Sequence, residues 1–597
     1  MLRELYDYAL RENLILPPGF VRKPVRAYIS LTRDGKYVGV VVNNDGEKVP
    51  CPDIGSMANS SGKCNVLAEK RGILFPGDEK QREKYAAKAA YFRGAMAEAT
   101  KVEPRLEFCL NAMSDADVAS AISAELDQLK IDGTKVLSFT IDGESILELP
   151  AVQSWWEQFR QQFLPSGSKS PCLITGKLTV PTATVPPVSG LSVVGGHARG
   201  DALICFDKDA FCSYSLKQAA NAPVSEEAFA GVKAALDELL KDAPILAGMK
   251  FVHWYDKPIP VEDDCIDTLF PSLLEDEDDE EEAELEPEVN RDQARRQADE
   301  VISTITSGKS VHELPNLYYI LLLSGVSGRV MVRSYEEGNY QTLVENLRQW
   351  EADLRLTNSF GTAELKPAKL TARLIRLLSR QNSDKNIFDR MSKELAGLIP
   401  AIINAIINDT QFPDAVAARA LAYIRSQMFS SGEEEQGRKV PDPWACQWLK
   451  AWLCRRERKK YQKEELSMEY NEKHPDPAYH CGALVAVYGE IQSRAMPDVN
   501  ASLIDRYYAS AVQTPALVLG QLSKLSNYHI SKIDNIWRKK ELSDLRNQVA
   551  SAIGDSIPTV LCPEQQSYFA LGYYQMCAKI NKERLARIAA AAEKQSD

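Results

Sequence analysis

Three stretches of the 597-residue chain carry side chains whose types and spacing suit chemistry. The first is a polar loop that gathers Asn59, Ser60, Ser61, Lys63, Asn65, Lys70 and Arg71 around Gly62. Asparagine and serine hydrogen-bond to base edges, and lysine and arginine neutralise phosphates, so the loop has the composition of a DNA reader. A solvated connection between strands has the same composition, and on composition alone it is the favoured reading. The second runs from Cys172 to Glu226. Pro181, Pro186, Pro187, Gly190, Gly195, Gly196 and Gly200 interrupt it, which predicts a defined path of close backbone approach. Arg199 lies inside it, and Phe211, Tyr214, Gln218 and Asn221 form an aromatic and amide cluster after it. This surface is suited to gripping a partner. The third is the basic run Arg455, Arg456, Arg458, Lys459 and Lys460, followed by Lys463. It is either a solvated helix face or a phosphate contact.

None of these is a catalytic constellation. The six histidines show no HExxH spacing and the twelve cysteines no CxxC pair, so no metal site is expected. Gly308-Lys309-Ser310 resembles the end of a phosphate-binding loop, but Ser303 stands where its first glycine belongs. Asp263-Asp264 lacks the glycine pair of a polymerase palm, and no GxSxG or Cys/His pairing occurs. The expectation is a binding protein without cofactors. Two rivals are a metal-dependent nuclease and a purely architectural subunit that never contacts bases.

The elements that must position these residues follow from periodicity. Residues 2–14 suit an amphipathic helix. Val25–Leu31 and Tyr37–Val42 flank Asp34-Gly35 as a hairpin, and a second turn is expected at Asn44-Asp45-Gly46. Residues 79–130 read as helices, Val136–Ile141 as a strand before Asp142-Gly143, and Val152–Phe163 as a helix whose Trp155 and Trp156 are core anchors. Ala202 to Phe206 alternates like a strand. Pro223–Asp242 is an amphipathic helix and Met249–Tyr255 a strand. Tyr318–Val332 brackets Ser327-Gly328 as a hairpin carrying Arg329 and Arg333, which face either a partner or simply solvent at a sheet edge. Beyond residue 340 helices dominate: 370–378, 387–407, 413–427, 478–495, 500–512, 515–529, 532–552 and 563–592, with short connections that favour an antiparallel bundle.

At this length roughly three domains are expected. The fold class is α+β. Residues 1–274 and 290–345 form a mixed α/β domain with antiparallel hairpins, 346–467 a helical region and 468–597 a C-terminal helical bundle. Between the two α/β parts, 275–289 is an acidic linker. Residues 275–288 hold eleven acids and no base, too little apolar surface to order itself, with DNA mimicry as the lesser alternative. The net charge of −12 rests on that run, and without it the chain is near neutral, so the global sign does not exclude nucleic acid. The N-terminus lacks the apolar core of a signal peptide, the apolar runs are too short for a membrane span, and scattered cysteines suit the cytoplasm.

CLITG (172–176), the GG pair followed by RG (195–200), FDKDAFCSY (206–214) and QAANAP (218–223) occur in order with four later strings. These are LYYILLLSGVSGRVMVRSY (317–335), QFPDAVAARALAYIR (411–425), AYHCGALVAVYGEIQ (478–492) and QQSYFALGYY (565–574). Together they resemble the large subunit of the type I-C CRISPR Cascade, the Dvulg-subtype CRISPR-associated protein, over nearly the whole chain. The resemblance implies a non-catalytic subunit of an RNA-guided antiviral complex. Its partners would be guide RNA (crRNA), target double-stranded DNA, the Cascade backbone and guide-end subunits, a small helical subunit, and a helicase-nuclease recruited in trans. It implies that the 59–71 loop reads the protospacer-adjacent motif, with Asn65 and Lys63 foremost, although no arginine precedes Ser60-Ser61 as in the commoner family pattern. Arg199, Tyr214, Gln218, Asn221, Arg329 and Arg333 would contact guide RNA or neighbouring subunits, and the run Arg455 to Lys460 the displaced strand. It also implies that an internal start, for which Met468 is suitably placed, yields the bundle as a separate small subunit.

Overall fold

A computed structural model describes the chain except residues 18, 44–47, 61, 164–168, 183–184, 207, 261–263, 267–315, 369, 371–373, 375–393, 430–438, 498–501, 556 and 597. The acidic linker, the Asn44-Asp45-Gly46 turn, Gly308-Lys309-Ser310, Asp263 and Ser61 fall outside the described residues. The chain divides into two compact units, Met1–Ser189 with Ala202–Glu238, and Gly190–Asp201 with Leu239–Asp597.

The first unit opens with α1 (Leu2–Arg11), which buries Leu5, Tyr6 and Ala9. Then come β1 (Phe20–Leu31), β2 (Tyr37–Val42), β3 (Lys48–Pro52), β4 (Glu69–Lys70), α2 (Arg71–Leu74), α3 (Glu79–Ala99), α4 (Leu106–Ser114), α5 (Ala116–Gln128), β5 (Val136–Ile141), β6 (Glu144–Ser145) and α6 (Pro150–Phe159). The short pair β7 (Ser170–Pro171) and β8 (Leu178–Thr179) precedes α7 (Glu226–Lys241). The sheet order is β2-β1-β5-β4, with β3 on the first half of β1 and β6 on β5. All pairs are antiparallel except β1 with β5. Alternation along β1 sends Ala27, Ile29 and Leu31 into a core shared with Leu137, Phe139 and Ile141 of β5. Phe92, Met96, Leu106, Ile122 and Leu126 from α3–α5 complete it. Trp155 and Trp156 are core anchors as read: Trp156 Nε1 donates to Gly19 O at 3.0 Å, and Trp155 stacks on Phe159.

The second unit holds the antiparallel sheet β12-β11-β10-β9, with β9 (Ile245–Leu246), β10 (Met249–Tyr255), β11 (Leu317–Val326) and β12 (Arg329–Asn339). The turns Asp142-Gly143, Ala247-Gly248 and Ser327-Gly328 all take positive φ at both residues, the geometry that matches strand twist in two-residue hairpins. Helices follow: α8 (Tyr340–Leu354), α9 (Leu398–Ile407), α10 (Asp414–Phe429), α11 (Pro443–Tyr461), α12 (Pro477–Ala495), α13 (Leu503–Gln513), α14 (Pro515–Ser531), α15 (Ile536–Ile553) and α16 (Pro563–Ser596). Tyr318, Ile320 and Leu322 share one core with Leu343, Leu347 and Trp350 of α8, the isoleucines of α9, and the bundle. Helix α12 is the axis of that bundle: residues 478–491 are all buried. Gly482 and Gly572 let α12 and α16 meet backbone to backbone. A Cβ at Gly482 would lie 1.9 Å from Phe569 O, and one at Gly572 2.0 Å from Tyr479 O.

The run from Ala202 to Phe206 is a correction: beyond bridge positions at Asp201 and Ala202 it forms no strand. The buried Asp201 carboxylate accepts the His197 amide at 3.1 Å, and the chain turns at Gly200 with φ +97. That fold consumes the extended conformation the alternating pattern suggested.

Candidate nucleic-acid interface

The 55–71 loop is braced from within. Glu69 is buried, and its carboxylate accepts the amides of Asn65 at 2.9 Å and Lys70 at 2.8 Å. Asn65 Oδ1 accepts the Ile54 amide at 3.2 Å, and Lys88 Nζ donates to Ala58 O at 2.8 Å. Asn59 ends a short 3-10 helix, Gly55–Asn59, and the Ser60 hydroxyl accepts the Lys63 amide at 3.2 Å. Lys63 is half-buried with Nζ 4.9 Å from the Phe163 ring centroid. Ser60 and Lys70 are exposed. Arg71 departs from the expectation. It is buried, donating to Asp127 Oδ1 at 2.6 Å and to Ile131 O, so its charge is spent inside the unit. Glu69 and Lys88 escaped the sequence reading because a bracing role shows only when the loop closes on itself.

The Gly/Pro stretch supplies the close approach its glycines predict. In the second unit, a Cβ on Gly325 of β11 would lie 2.2 Å from Gly196 Cα, and one on Gly195 would lie 2.6 Å from Gly325 O. Only two glycine backbones can touch this way. On the hairpin, Gly325 pairs with Val330 and Val326 with Arg329, and Arg333 Nε donates to Ser324 Oγ at 2.8 Å. The contact therefore joins the loop bearing exposed Arg199 to the hairpin tip bearing exposed Arg329 and Arg333.

Tyr214, Gln218 and Asn221 belong to the first unit. Asn221 is a brace: its Oδ1 accepts the Ser213 amide at 2.9 Å, and its Nδ2 donates to Leu216 O at 3.1 Å and Gln218 O at 3.0 Å. The braced turn holds Tyr214 at φ 52 with the residue 96% exposed, and Gln218 is exposed beside it.

The basic run on α11 is largely neutralised. Arg455 is buried, with Nε 3.0 Å from Asp353 Oδ2 and Nη1 donating to Thr410 O and Ala405 O. Arg458 donates to Asp353 Oδ1 at 2.6 Å and Asp409 Oδ1 at 2.9 Å, and also pairs with Glu464. Arg456 pairs with Asp414 and, at 3.3 Å, with Glu564. The cause is helical spacing: positions 455 and 458 share a face that turns inward onto the buried Asp353. Lys459 and Lys460 remain exposed, and Lys463 pairs with Glu465 at 2.7 Å.

Among the described residues, the acids that a catalytic reading would use are engaged in contacts within the protein. Asp264 is buried and accepts from Tyr255 Oη at 2.6 Å and the Ile266 amide at 2.9 Å, with His253 Nε2 at 3.0 Å. Asp353, Cys454 and Glu464 bring ligand atoms within 4.8 Å of one another. Arg455 and Arg458 already hold that aspartate, and Arg458 and Gln349 the glutamate, which makes the group an ion-pair network. Among the described residues no helix is long and apolar enough to cross a membrane.

Comparison with curated proteins returns no match. A family model described as CRISPR-associated protein (Cas_Csd1) matches residues 2–580, so almost every element above falls within it. The chain therefore belongs to the Cas_Csd1 family of CRISPR-associated proteins, the large subunit of type I-C Cascade.

Proposed function

We propose that this chain is the non-catalytic subunit that reads a short DNA motif beside the target, helps open the duplex and steadies the resulting R-loop. The observation that carries the reading is the internally braced 55–71 loop. Buried Glu69 and half-buried Asn65 fix its backbone, with Ser60 and Lys70 exposed on that frame and Lys63 half-buried beside them. A rigid loop with hydroxyl and ammonium groups suits a few base pairs and their phosphates, and guide pairing then supplies the long sequence test. Arg199, Arg329 and Arg333 around the Gly196–Gly325 contact grip guide RNA. The Tyr214 turn docks on neighbouring backbone subunits. Opened duplex is handed to a helicase-nuclease in trans.

The test uses the assembled complex carrying Lys63→Ala, Lys70→Ala or Asn65→Ala. Each is expected to lower motif-dependent binding of target duplex while guide and sister subunits still co-purify. Asn65→Ala also removes the acceptor for the Ile54 amide and loosens the loop. Motif-dependent binding unchanged in all three sinks the reading.

A further inference from the structure

An exposed patch lies apart from every surface above, where α14 and α15 meet across residues 532–535. Lys524, Tyr528 and Lys532 recur every four residues and form one exposed line along α14, with Lys532 Nζ 4.4 Å from the Tyr528 ring centroid. Helix α15 then opens with Ile536 and Trp537, 77% and 81% exposed, and Lys540 shares the face of Trp537 three positions on. Six of the eight tryptophans are buried and Trp444 is half-buried, which leaves Trp537 as the exposed indole. Residues 524–540 hold five lysines and arginines against Asp534 alone. Elsewhere on the bundle, Arg494, Lys579, Lys582 and Arg587 each meet a carboxylate, as does Arg538 within the patch. Among the described residues Lys524, Lys532, Lys539 and Lys540 meet none. Arg538 and Lys539 stand in the first turn of α15 with no acid there, where the helix dipole itself favours negative charge.

The same chain carries the complement. Residues 275–288 hold eleven acids and no base, and Leu269, Phe270, Leu273 and Leu274 come just before them. The stretch belongs to 267–315, outside the described residues, and both its ends are fixed in the unit that bears the patch. Ile266 is buried in the core, and buried Asn316 accepts the Lys257 amide at 2.9 Å and donates to Lys257 O at 3.0 Å. Glu282 lies sixteen residues beyond Ile266, so an extended chain carries it up to about 55 Å from that anchor. A compact body of the second unit's length is roughly 55 Å across, so the tether is long enough for the acids to meet the patch. Asn316 lies farther along the chain and restricts them less.

We propose that the acidic segment 275–288 docks on the α14–α15 tip of its own chain. Its carboxylates pair with Lys524, Lys532 and Lys540, and the apolar residues that precede it cover Trp537 and Ile536. Two features select this occupant: the opposite sign of its charge, and an apolar flank beside that charge to match an indole beside lysines. A partner on the same chain also needs only modest affinity, because the tether supplies the effective concentration. The segment then competes with any outside polyanion for the tip, and salt weakens its hold. The acidic run thereby gains a task that a mere spacer between two α/β parts lacks.

The purified full chain is treated at low salt with a carbodiimide, which joins lysines to carboxylates only in contact, and peptides from the monomer band are mapped by mass spectrometry. Links from Lys524, Lys532 or Lys540 to acids of 275–288 are expected, and they should be lost at high salt. The exposed Lys582–Glu469 pair is the internal control. A Glu-specific protease supplies a second readout. Lys532→Glu/Lys540→Glu should let it cut the segment about fivefold faster, as for a segment docked roughly four-fifths of the time in the parent. Acrylamide quenching of Trp537, with Trp537→Phe as the baseline, should increase when the acids of 275–282 are changed Glu→Gln and Asp→Asn. Capture of the control pair without any link from the tip to the segment overturns the proposal, as does equal cleavage of parent and lysine variant. Links confined to the dimer band assign the tip to a second copy, and in the assembled complex links only to sister subunits assign it to them; either result also overturns it.

Discussion

Asp353 shows how a single carboxylate decides what a basic run does. It is fully buried, between Arg455 and Arg458. Asp353→Ala is expected to cost about 3–5 kcal/mol, because buried Arg455 loses the carboxylate 3.0 Å from its Nε and keeps only Asp409 at 3.6 Å. Chemical denaturation of the variant measures this, and a loss below 1 kcal/mol contradicts the role given to Asp353. Lys459→Ala and Lys460→Ala lie in solvent and should stay within about 0.5 kcal/mol of the parent. The basic run was legible in the sequence. Its destination was not, because Asp353 lies about a hundred residues upstream and only tertiary packing brings it under the helix. Arg71 and Asp127 repeat the lesson in the first unit.

A second residue-scale consequence concerns pH. His480 is buried on α12, with Nε2 donating to His474 O at 2.7 Å and Nδ1 accepting from Tyr470 Oη at 2.6 Å. Burial lowers its pKa from the usual 6.5. The folded state therefore holds this ring neutral, and below about pH 6.5 the unfolded chain binds the extra proton. Stability from this group is full above that pH and declines as pH falls toward the folded pKa. Denaturation midpoints at pH 7.5 and 5.5 should differ in that direction, and His480→Gln should shrink the difference. An equal pH dependence in parent and variant argues against His480 as a source.

At the scale of elements, backbone contacts between glycines do what side chains do elsewhere. Gly482→Ala forces a methyl group to within 1.9 Å of Phe569 O, where neither backbone has a rotamer to yield. Overpacking of a core typically costs 1–3 kcal/mol, and this substitution is expected near the top of that range or above it. Gly572→Ala should match it, and the double variant should cost less than the two added, since both part the same pair of helices. Urea midpoints of the four proteins supply the cycle. Gly325→Ala is the counterpart at the loop: it displaces Gly196, detaches Arg199 from the hairpin bearing Arg329 and Arg333, and should reduce guide RNA recovered with the complex. Guide yield equal to the parent refutes the positioning role. Hairpins were the most legible elements, because Asp-Gly and Ser-Gly declare their turns through backbone conformation. Bundle helices were recovered within a few residues, as at Pro477–Ala495 and Pro515–Ser531. Ala202 to Phe206 misled because period-two alternation carries no information about a buried carboxylate at its entrance.

Taken whole, the chain was legible through the order of its strings more than through any one of them, since a family match over residues 2–580 constrains every part at once. Composition was a weak guide: the net charge of −12 hides an acidic segment and local cationic surfaces. Met468 as an internal start remains a proposal with a structural consequence. The helices that enclose α12 all lie within 468–597. Freed from the rest, however, α16 loses the bond from Tyr574 Oη to Thr357 O, and His474 loses Glu457 at 2.6 Å. The released fragment is expected to fold yet expose that flank, and to be recovered bound to the complex. An immunoblot against the C-terminus that lacks a fragment of this size discards the internal start.

The crossing of α12 and α16 also imposes a timetable on synthesis. The bundle's axis leaves the ribosome some seventy residues before the strip of backbone it must lie against. Until then a helix destined for burial along residues 478–491 waits without its companion, so a nascent chain cut short at residue 562 should collect in inclusion bodies or on chaperones. Only when α16 has cleared the ribosome can the glycine-lined crossing with α12 form.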